Sequence, residues 1–203
     1  MCPPDKGPVV LIASSDESTR SWIEATVGGA GLHASSFCTA ARLRSSLEPD
    51  RAACAVLDVR LTDACGLELQ ADLARAGVSV VFVTRECSIA TCVKAVKAGA
   101  VDFLKMPCDA AQLVRALHHA MRLALSSWTK RVQFGELRSR YDQLTTRERE
   151  VFALASSGLL NKQTAERLDI SEITVQMHRG RVMRKMQARS FASLVRMADA
   201  LQP

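Results

Sequence analysis

The chain has 203 residues and a formal net charge of +6 at neutral pH, and no apolar run approaches the roughly 20 residues that cross a membrane. Its first ten residues, MCPPDKGPVV, lack the basic flank and the long apolar core of a signal peptide. Its seven cysteines form no CxxC pair and no Cys/His spacing that suits zinc. We therefore expect a soluble, cytoplasmic protein with no membrane partner and no cofactor.

The charge is distributed unevenly along the chain. Residues 1–125 contain 13 Lys or Arg and 13 Asp or Glu, whereas residues 126–203 contain 14 Lys or Arg and only 8 Asp or Glu. A neutral first part and a basic second part predict two domains, of which the second binds an anionic partner.

In residues 1–125, short apolar runs alternate with helical patterns. The predicted strands lie near 9–13, 33–37, 54–59, 78–84 and 101–106, and the predicted helices lie near 17–30, 39–47, 66–76 and 88–98, with one more after Asp109. Continuous β-branched runs such as VVLIA and VSVVFVT indicate strands that are buried on both faces. The first domain is therefore predicted to be α/β, with a doubly wound five-stranded parallel sheet. Such sheets carry their sites at the carboxyl ends of the strands.

The carboxyl ends of the predicted strands carry Ser14, Ser15, Asp58, Thr84 and Met106. The segments LDVRLTDACGLEL and VKAVKAGAVDFLKMP around them resemble the receiver domain of two-component response regulators, which has a flavodoxin-like fold. The resemblance implies that Asp58 occupies the phospho-acceptor position and that Thr84 occupies the position of the switch hydroxyl.

Two parts of the receiver pattern are missing. The acidic pair that holds Mg²⁺ in the family falls on Ser14 and Ser15, and the lysine that contacts the phosphoryl group falls on Met106. Mg²⁺ prefers several oxygen ligands, among them carboxylates, and each opposite charge lost at about 4 Å forgoes about 4 kcal/mol at an effective dielectric near 20. We therefore expect weak or absent Mg²⁺ binding and a receiver that is controlled without phosphorylation of Asp58. Conventional phosphorylation at Asp58 is the alternative.

Two interpretations of Asp58 remain open from the sequence. In one, the carboxylate accepts hydrogen bonds from Ser14, Ser15 or Thr84 and has no further role. In the other, Arg85 pairs with Asp58 and holds one conformation without phosphate.

Three cysteines, Cys65, Cys87 and Cys108, follow strands at the same rim and are candidate redox thiols. The alternative is that they are ordinary loop residues. A second alternative function follows from them, namely a protein-interaction or redox-sensing module whose DNA contact is secondary. The sequence contains neither a Cys-His pair nor a phosphate-binding loop motif that would indicate an enzyme.

Residues 126–143 are predicted to form a helical linker that continues the last receiver helix. The stripe through this region consists of apolar or long side chains at three- and four-residue steps: Leu113, Leu117, Ala120, Ala124, Trp128 and Val132. Such a stripe favours pairing with a second copy of the chain in a homodimer.

Residues 144–203 have the pattern of a helix-turn-helix domain. Thr145 and Glu148 form a capping box, NKQTAERL (161–168) is a short second helix, and Ser171 begins a third helix that runs to about Gln187. At 100° per residue, the third helix has one apolar side and an opposite side with exposed and basic residues. The first side consists of Val175, His178, Val182 and Met186, and the second of Ile173, Met177, Gly180, Arg181 and Arg184. This pattern predicts an all-α domain that places a basic helix in the major groove of double-stranded DNA.

The segments LTTREREV, GLLNKQTAERLDIS and TVQMHRGRVMRKM closely resemble the LuxR-type DNA-binding domain, and the whole chain resembles the FixJ/NarL class of response regulators. The resemblance implies base-edge contacts by Gln176, Met177 and Gly180. It implies phosphate contacts by Asn161, Lys162, Thr174, His178, Arg179 and Arg181. We add Ser171, Arg184 and Lys185 to the predicted DNA-binding surface. By angle His178 lies on the core side, so a hydrogen-bonded core histidine is the alternative for that residue.

Together these patterns predict a DNA-binding transcription regulator that is not an enzyme. Its expected partners are double-stranded DNA, a second copy of the chain, and a sensor kinase or another regulatory protein.

Overall fold

The computed structural model describes residues 7–86 and 88–201, which form two compact units that divide between Thr129 and Lys130. This division falls inside the predicted linker, 126–143.

The first unit contains a five-stranded parallel sheet, as the sequence predicts. Its strands are β1 (Val9–Ala13), β2 (His33–Phe37), β3 (Ala53–Leu57), β4 (Ser79–Thr84) and β5 (Asp102–Lys105), and their order in the sheet is β2-β1-β3-β4-β5. In register, Ala13 pairs with Leu57 of β3 and with Phe37 of β2, so neighbouring strands end at the same edge. This order is that of flavodoxin-like sheets, in which the site lies where the strand order reverses, outside β1 and β3.

Helices cover both faces of the sheet. They are α1 (Glu17–Gly29), α2 (Ala40–Ser45), α3 (Gly66–Arg75), α4 (Ile89–Lys97) and the first part of α5 (Ala110–Asp142). All residues of β1 and β3 are buried, and successive residues belong to two different clusters. For example, Leu11 packs on the face that contains Leu69 and Leu73, while Ile12 packs on the face that contains Ile23. Continuous apolar runs form these strands because both faces of the sheet are covered.

Side-chain caps fix where several of these helices begin. The Asp16 carboxylate accepts the Thr19 N–H at 2.7 Å at the start of α1, and the Ser88 hydroxyl accepts the Thr91 N–H at 3.1 Å at the start of α4. These bonds satisfy N–H groups that have no partner inside the helix. The loops at the sheet edge are thereby anchored by their own polar side chains.

Helix α5 is continuous over 33 residues, which confirms the predicted extension of the last receiver helix. The stripe proposed for pairing is partly occupied, however, because Leu113, Leu117 and Ala120 are buried in the same cluster as Val10 and Ile12 of the sheet. The first part of the stripe therefore packs on its own domain and is not available to a second helix. Exposed apolar side chains on other parts of α5 include Leu123 and Phe134.

The second unit is helical. It contains the end of α5 followed by α6 (Thr146–Ser156), α7 (Asn161–Leu168), α8 (Glu172–Met186) and α9 (Phe191–Leu201). Its core is formed by Leu144, Phe152, Val182, Met186 and Leu194, with further side chains from α5 and α9. The predicted capping box is present, since Thr145 Oγ1 accepts the Glu148 N–H at 3.3 Å and Glu148 Oε2 accepts the Thr145 N–H at 2.9 Å.

The turn between α7 and α8 depends on one unusual backbone conformation. Asp169 has φ 52° and ψ 52°, the left-handed region that Asp adopts more readily than most residues. Ser171 then caps α8 by accepting the Thr174 N–H at 3.1 Å. The sequence predicted this helix-turn-helix with boundaries correct to within about one residue.

No helix within 7–86 and 88–201 is both long enough and apolar enough to span a bilayer.

Candidate functional site

The rim of the sheet brings together the predicted pocket residues. The Asp58 N–H donates to Ala13 O at 2.9 Å, which places Asp58 beside the end of β1. Its Oδ1 accepts the Thr84 hydroxyl at 3.0 Å and the Arg60 N–H at 3.2 Å. Thr84 is only 2% exposed. The hydroxyl at the switch position therefore donates directly to the carboxylate at the acceptor position.

The two serines at the metal-binding positions are engaged in neutral hydrogen bonds. Ser14 is buried, and its Oγ accepts the Asp16 N–H at 3.3 Å. Ser15 Oγ accepts both the N–H and the hydroxyl of Thr62, each at 2.8 Å. Ser15 thus ties the β1–α1 loop to the β3–α3 loop, whereas the predicted bond from either serine to Asp58 is absent among the described contacts.

Arg85 does not pair with Asp58, so that prediction is wrong. Its guanidinium binds Asp16 Oδ2 in an ion pair and also donates to Ser18 Oγ at 2.8 Å and Thr19 Oγ1 at 3.2 Å. The physical reason is that Asp16 at the start of α1 offers a carboxylate, while Ser18 and Thr19 beside it offer two hydroxyl groups to the same guanidinium. Hydrogen bonds from Thr19 and Ser18, followed by Arg85, hold the pKa of Asp16 well below its ordinary value.

Met106 fills the position of the missing lysine with an apolar side chain. Met106 and Leu104 pack against the sheet face that contains Val10 and Ile12, whereas Phe103 packs against the opposite face. Lys105 follows the alternation of the strand, lies on the side of Phe103 and is exposed. No ammonium group is therefore directed at Asp58 within the described part of the chain.

The donor set of this pocket does not fit Mg²⁺. Asp58 is the one carboxylate at the carboxyl ends of the described strands, and Asp16 is neutralised by Arg85. Hydroxyl oxygens that already bond backbone and side-chain groups are poor replacements for the carboxylates that the ion prefers. Within the residues that the structure describes, no group of three His, Cys, Asp or Glu side chains is arranged to hold a metal.

The candidate redox thiols have different surroundings. Cys65 is half-buried at the start of α3, and Cys87 lies outside the described residues. Cys108 donates to Met106 Sδ at 3.4 Å, and burial together with the charge of Asp109 raises the pKa of the Cys108 thiol. A raised pKa lowers the thiolate fraction and disfavours oxidation at Cys108.

Three residues that sequence reasoning did not single out shape the rim. A Cβ on Gly66 would lie 2.2 Å from Asp58 O, so only glycine allows α3 to begin this close to the end of β3. The Asp63 carboxylate accepts the Ala40 and Ala41 N–H groups at 2.8 and 2.9 Å, and these bonds lower its pKa. Asp63 and Gly66 both belong to the DACG segment after the third strand, and this segment was the signal in the sequence that could have identified them. Arg60 pairs with exposed Glu86 at 2.6 Å.

The second candidate site is the outer surface of α8. Val175, Val182 and Met186 are buried, as the angular pattern predicts. On the other side Ile173 is 74% exposed and Met177 is 53% exposed. The remaining exposed residues of the predicted DNA-binding surface are Lys162, Ser171, Gln176, Gly180, Arg181 and Arg184, while Asn161 and Thr174 are half-buried. The outer side of α8 thus presents exposed apolar and basic side chains.

Two residues predicted to bind DNA make contacts inside the domain. Lys185 Nζ donates to Glu148 Oε2 at 2.6 Å and to Gln143 O at 3.1 Å. Arg179 Nη1 donates to Asn161 Oδ1 at 2.8 Å and to Leu159 O at 3.3 Å. Both residues lie at the edge between the two sides of α8, where long side chains reach neighbouring helices. These contacts place both side chains at the edge of the surface, and their contacts with DNA stay predictions.

The ion pair of Glu148 changes its acidity. Burial raises the pKa of the Glu148 carboxyl, but the hydrogen bonds from Lys185 and from the Thr145 N–H outweigh burial and hold the pKa below its ordinary value of 4.5. Glu148 is therefore ionised in a nearly fully buried position, where Lys185 compensates its charge.

Of the two predictions for His178, the hydrogen-bonded core histidine is wrong, and the phosphate contact stays a prediction. His178 is half-buried, and its buried Nδ1 has no hydrogen-bond partner among the described residues, so it is not a hydrogen-bonded core histidine. Thr164, where the LuxR-type pattern prefers Ile or Val, is fully buried in α7, and its Oγ1 likewise has no partner there. A polar group without a partner costs stability, so Thr164 weakens the packing of α7.

Comparison with known proteins identifies the families of the two domains. Residues 10–118 match the family described as response regulator receiver domain, and residues 142–198 match the family described as bacterial regulatory proteins, luxR family. The response regulator protein TodT of Pseudomonas putida is 34% identical over 200 residues, which cover 98% of this chain and 88% of TodT. The transcriptional regulatory protein FixJ of Rhizobium meliloti is 36% identical over 147 residues, which cover 71% of this chain and 72% of FixJ.

Among solved structures, that of the response regulator StyR is similar with a TM-score of 0.84 at 33% identity, covering 96% of this chain and 99% of StyR. The chain therefore belongs to the response regulators that join a receiver domain to a LuxR-type DNA-binding domain, and it is a FixJ-like transcription regulator.

Proposed function

We propose that this regulator binds specific DNA sequences without phosphorylation of Asp58. The observation that carries the proposal is the charge of the receiver pocket. Among the described residues, Asp58 is its one carboxylate at the strand ends, serines stand at the positions of the acidic pair, and an apolar Met106 stands in the place of the lysine. A phosphoryl group on Asp58 would add nearly two negative charges with no cation to balance them. At an effective dielectric near 20, each missing opposite charge at about 4 Å is worth about 4 kcal/mol.

The hydrogen bonds of the rim support the same proposal. Thr84 bonds Asp58 directly, Ser15 bonds Thr62, and Arg85 bonds Asp16. These three contacts connect the loops after β1, β3 and β4. We infer that they hold the receiver in one conformation, so that the switch hydroxyl needs no phosphoryl group to draw it inward.

For the DNA-binding domain we propose that Gln176, Met177 and Gly180 approach base edges in the major groove. Gln can bond adenine bidentately, Met can contact a thymine methyl group, and a glycine without a side chain allows close approach. We further propose that Lys162, Ser171, Thr174, Arg181 and Arg184, together with Asn161, contact phosphates. The exposure of these residues and the basic charge of residues 126–203 support this assignment.

We also propose that the chain acts as a homodimer, whose two α8 helices read half-sites about one helical turn apart. The support is an exposed apolar face on α4, where Ile89, Val93 and Val96 recur at steps of four and three residues. Sedimentation velocity of the full chain tests this, and a monomer at all concentrations, with and without DNA, would contradict it.

Labelling with radioactive acetyl phosphate in Mg²⁺ tests the phosphorylation proposal. We expect no label on the wild-type chain and restored labelling of a variant that carries Ser14→Asp, Ser15→Asp and Met106→Lys together. The restored variant is the matched control, because it returns the acids and the lysine to the same backbone. Label on wild-type Asp58 would instead support the second candidate, a conventional two-component regulator, which the aspartate retained at the end of β3 favours.

A further inference from the structure

Ile173 is the most exposed large apolar side chain in the described part of the second unit. It is 74% exposed and is the second residue of α8, which begins at Glu172. Isolated apolar residues are ordinary on a protein surface and need no explanation. Ile173 is not isolated, however, because Met177 is 53% exposed four residues further along the same helix.

The periodicity of α8 places these two side chains on one side of the helix. An α-helix turns by about 100° per residue, so Met177 lies about 40° and Gly180 about 20° from the direction of Ile173. Val182, which is 1% exposed, lies about 180° from it. Ile173 and Met177 thus form an apolar strip that faces away from the core of the domain. Gly180 continues this line without a side chain, and a Cβ added there would have no other atom within 4 Å.

The same side of α8 is basic beyond the apolar strip. Arg184 lies about 20° and Arg181 about 80° from the direction of Ile173, and both are exposed. Residues 126–203 as a whole carry 14 Lys or Arg against 8 Asp or Glu. This charge favours a polyanion, and not an apolar protein surface, as the occupant of this side. In a helix-turn-helix, the N-terminal residues of the second helix are those that reach the base edges, and the apolar strip lies in that part of α8.

The major groove of DNA offers an isoleucine one suitable group. The base edges present hydrogen-bond donors and acceptors there, and the exception is the C5-methyl group of thymine. An isoleucine packed on a donor or acceptor would exclude water without replacing its hydrogen bond, which costs free energy. Packing on a methyl group instead buries apolar surface on both sides, which is favourable.

We propose that Ile173 and Met177 together read C5-methyl groups in the major groove, so that this regulator distinguishes methylated from unmethylated pyrimidines. The two residues are about 6 Å apart along the helix axis and stacked base pairs about 3.4 Å apart, so the two methyl groups lie within about two base pairs of each other. The inference rests on the proposed function and adds to it a contact by Ile173 and the chemical group that both residues recognise. Because 5-methylcytosine presents the same methyl group, it should bind the strip as thymine does.

Replacement of single thymines by deoxyuridine tests the proposal, because uracil lacks the methyl group and keeps every hydrogen-bonding group. The duplex is a fragment that the wild-type full chain selects from genomic DNA, and competition gel shifts measure the affinity. Loss of one buried methyl group should weaken binding about fourfold, at one thymine for Ile173 and at a second for Met177. In Ile173→Ala the first penalty should vanish and the second should remain. The slope of log K against log salt (the salt slope) should stay unchanged, since no charge is removed.

Leu160→Ala is the matched control. Leu160 is 69% exposed, but it precedes α7 and does not belong to α8, so both penalties should remain in this variant. A second arm places cytosine at the thymine assigned to Ile173 and compares it with 5-methylcytosine. The methyl group should tighten binding of the wild type about fourfold and should leave the affinity of Ile173→Ala unchanged. Both substituted side chains are exposed, so the melting temperatures should equal that of the wild type.

Three results would overturn the proposal. They are wild-type binding that no single uracil weakens, an Ile173→Ala chain that keeps both penalties, and an Ile173→Ala chain that binds every duplex as tightly as the wild type does. The last result would assign the apolar strip to a protein partner. A wild-type chain that selects no DNA would overturn the proposed function as well, which separates the two failures.

Discussion

Lys185→Met should destabilise the DNA-binding domain without removing a DNA contact. In the fold, Lys185 Nζ lies 2.6 Å from Glu148 Oε2, and the Glu148 side chain is only 3% exposed. Without the ammonium group, the carboxylate keeps the Thr145 N–H at 2.9 Å but loses its counter-charge. Leaving one member of a buried ion pair unpaired costs about 3–5 kcal/mol.

The expected cost here is lower than that range. The Lys185 side chain is 34% exposed, so water screens part of the interaction. We therefore expect the free energy of unfolding of the second unit to fall by about 2–3 kcal/mol. Loss of the Lys185 hydrogen bond to Gln143 O also lowers the free energy of unfolding.

Hydrogen exchange across residues 146–186 of the full chain measures this effect locally, because two units need not unfold in one transition. Lys162→Met is the matched control: Lys162 is exposed, so its exchange rates should stay at the wild-type values while its DNA affinity falls. Unchanged exchange in Lys185→Met together with a salt slope lowered by about 0.9 would refute the structural role and restore the direct DNA contact.

Three further predictions address the base contacts, the rim and acid stability. Gln176→Ala should change the sequence preference at one base pair by about 1–3 kcal/mol, whereas Arg181→Ala should weaken binding to all sites alike and lower the slope of log K against log salt. Competition gel shifts measure both effects. An unchanged sequence preference for Gln176→Ala would show a different register of the helix in the groove. Gly66→Ala should lower the free energy of unfolding of the receiver in urea by at least about 3 kcal/mol, because its Cβ would lie 2.2 Å from Asp58 O. Gly28→Ala is the control, since the space around its Cβ is open, and it should be neutral or stabilising by up to about 1 kcal/mol. Equal stabilities of the two variants would contradict the close approach at Gly66. Asp16 has a folded pKa below its ordinary value of 3.8, so its contribution to stability is complete above that value and is lost as the pH falls through the lower folded pKa. Asp16→Asn keeps a capping side chain, so the receiver of this variant should lose less stability in acid than the wild type. An identical pH profile of the two proteins would argue against the Arg85–Asp16 pair.

The parts of the fold that local pattern determines were predictable. The run VVLIA was recognisable as β1 because its continuous apolar side chains suit a strand in which every residue is buried. The Thr145–Glu148 capping box marks the first residues of α6 without reference to any other segment. The burial of Val175, Val182 and Met186 also follows from helical periodicity alone.

The contacts that join distant segments were not predictable. Arg85 binds the Asp16 carboxylate together with the hydroxyls of Ser18 and Thr19, and the sequence alone does not show that these three groups lie beside it. Lys185 and Arg179 lie between the two sides of α8, where a helical angle does not decide whether a long side chain turns inward. The partners of such residues depend on packing between helices.

The most direct test of the account is the affinity of the full chain for its DNA, measured with and without beryllofluoride and Mg²⁺. The DNA is a fragment selected from genomic DNA by the untreated protein, and Asp58→Ala is measured beside the wild type. The charge of the pocket predicts equal affinities in all of these conditions. Tighter wild-type binding with beryllofluoride, absent in Asp58→Ala, would contradict it.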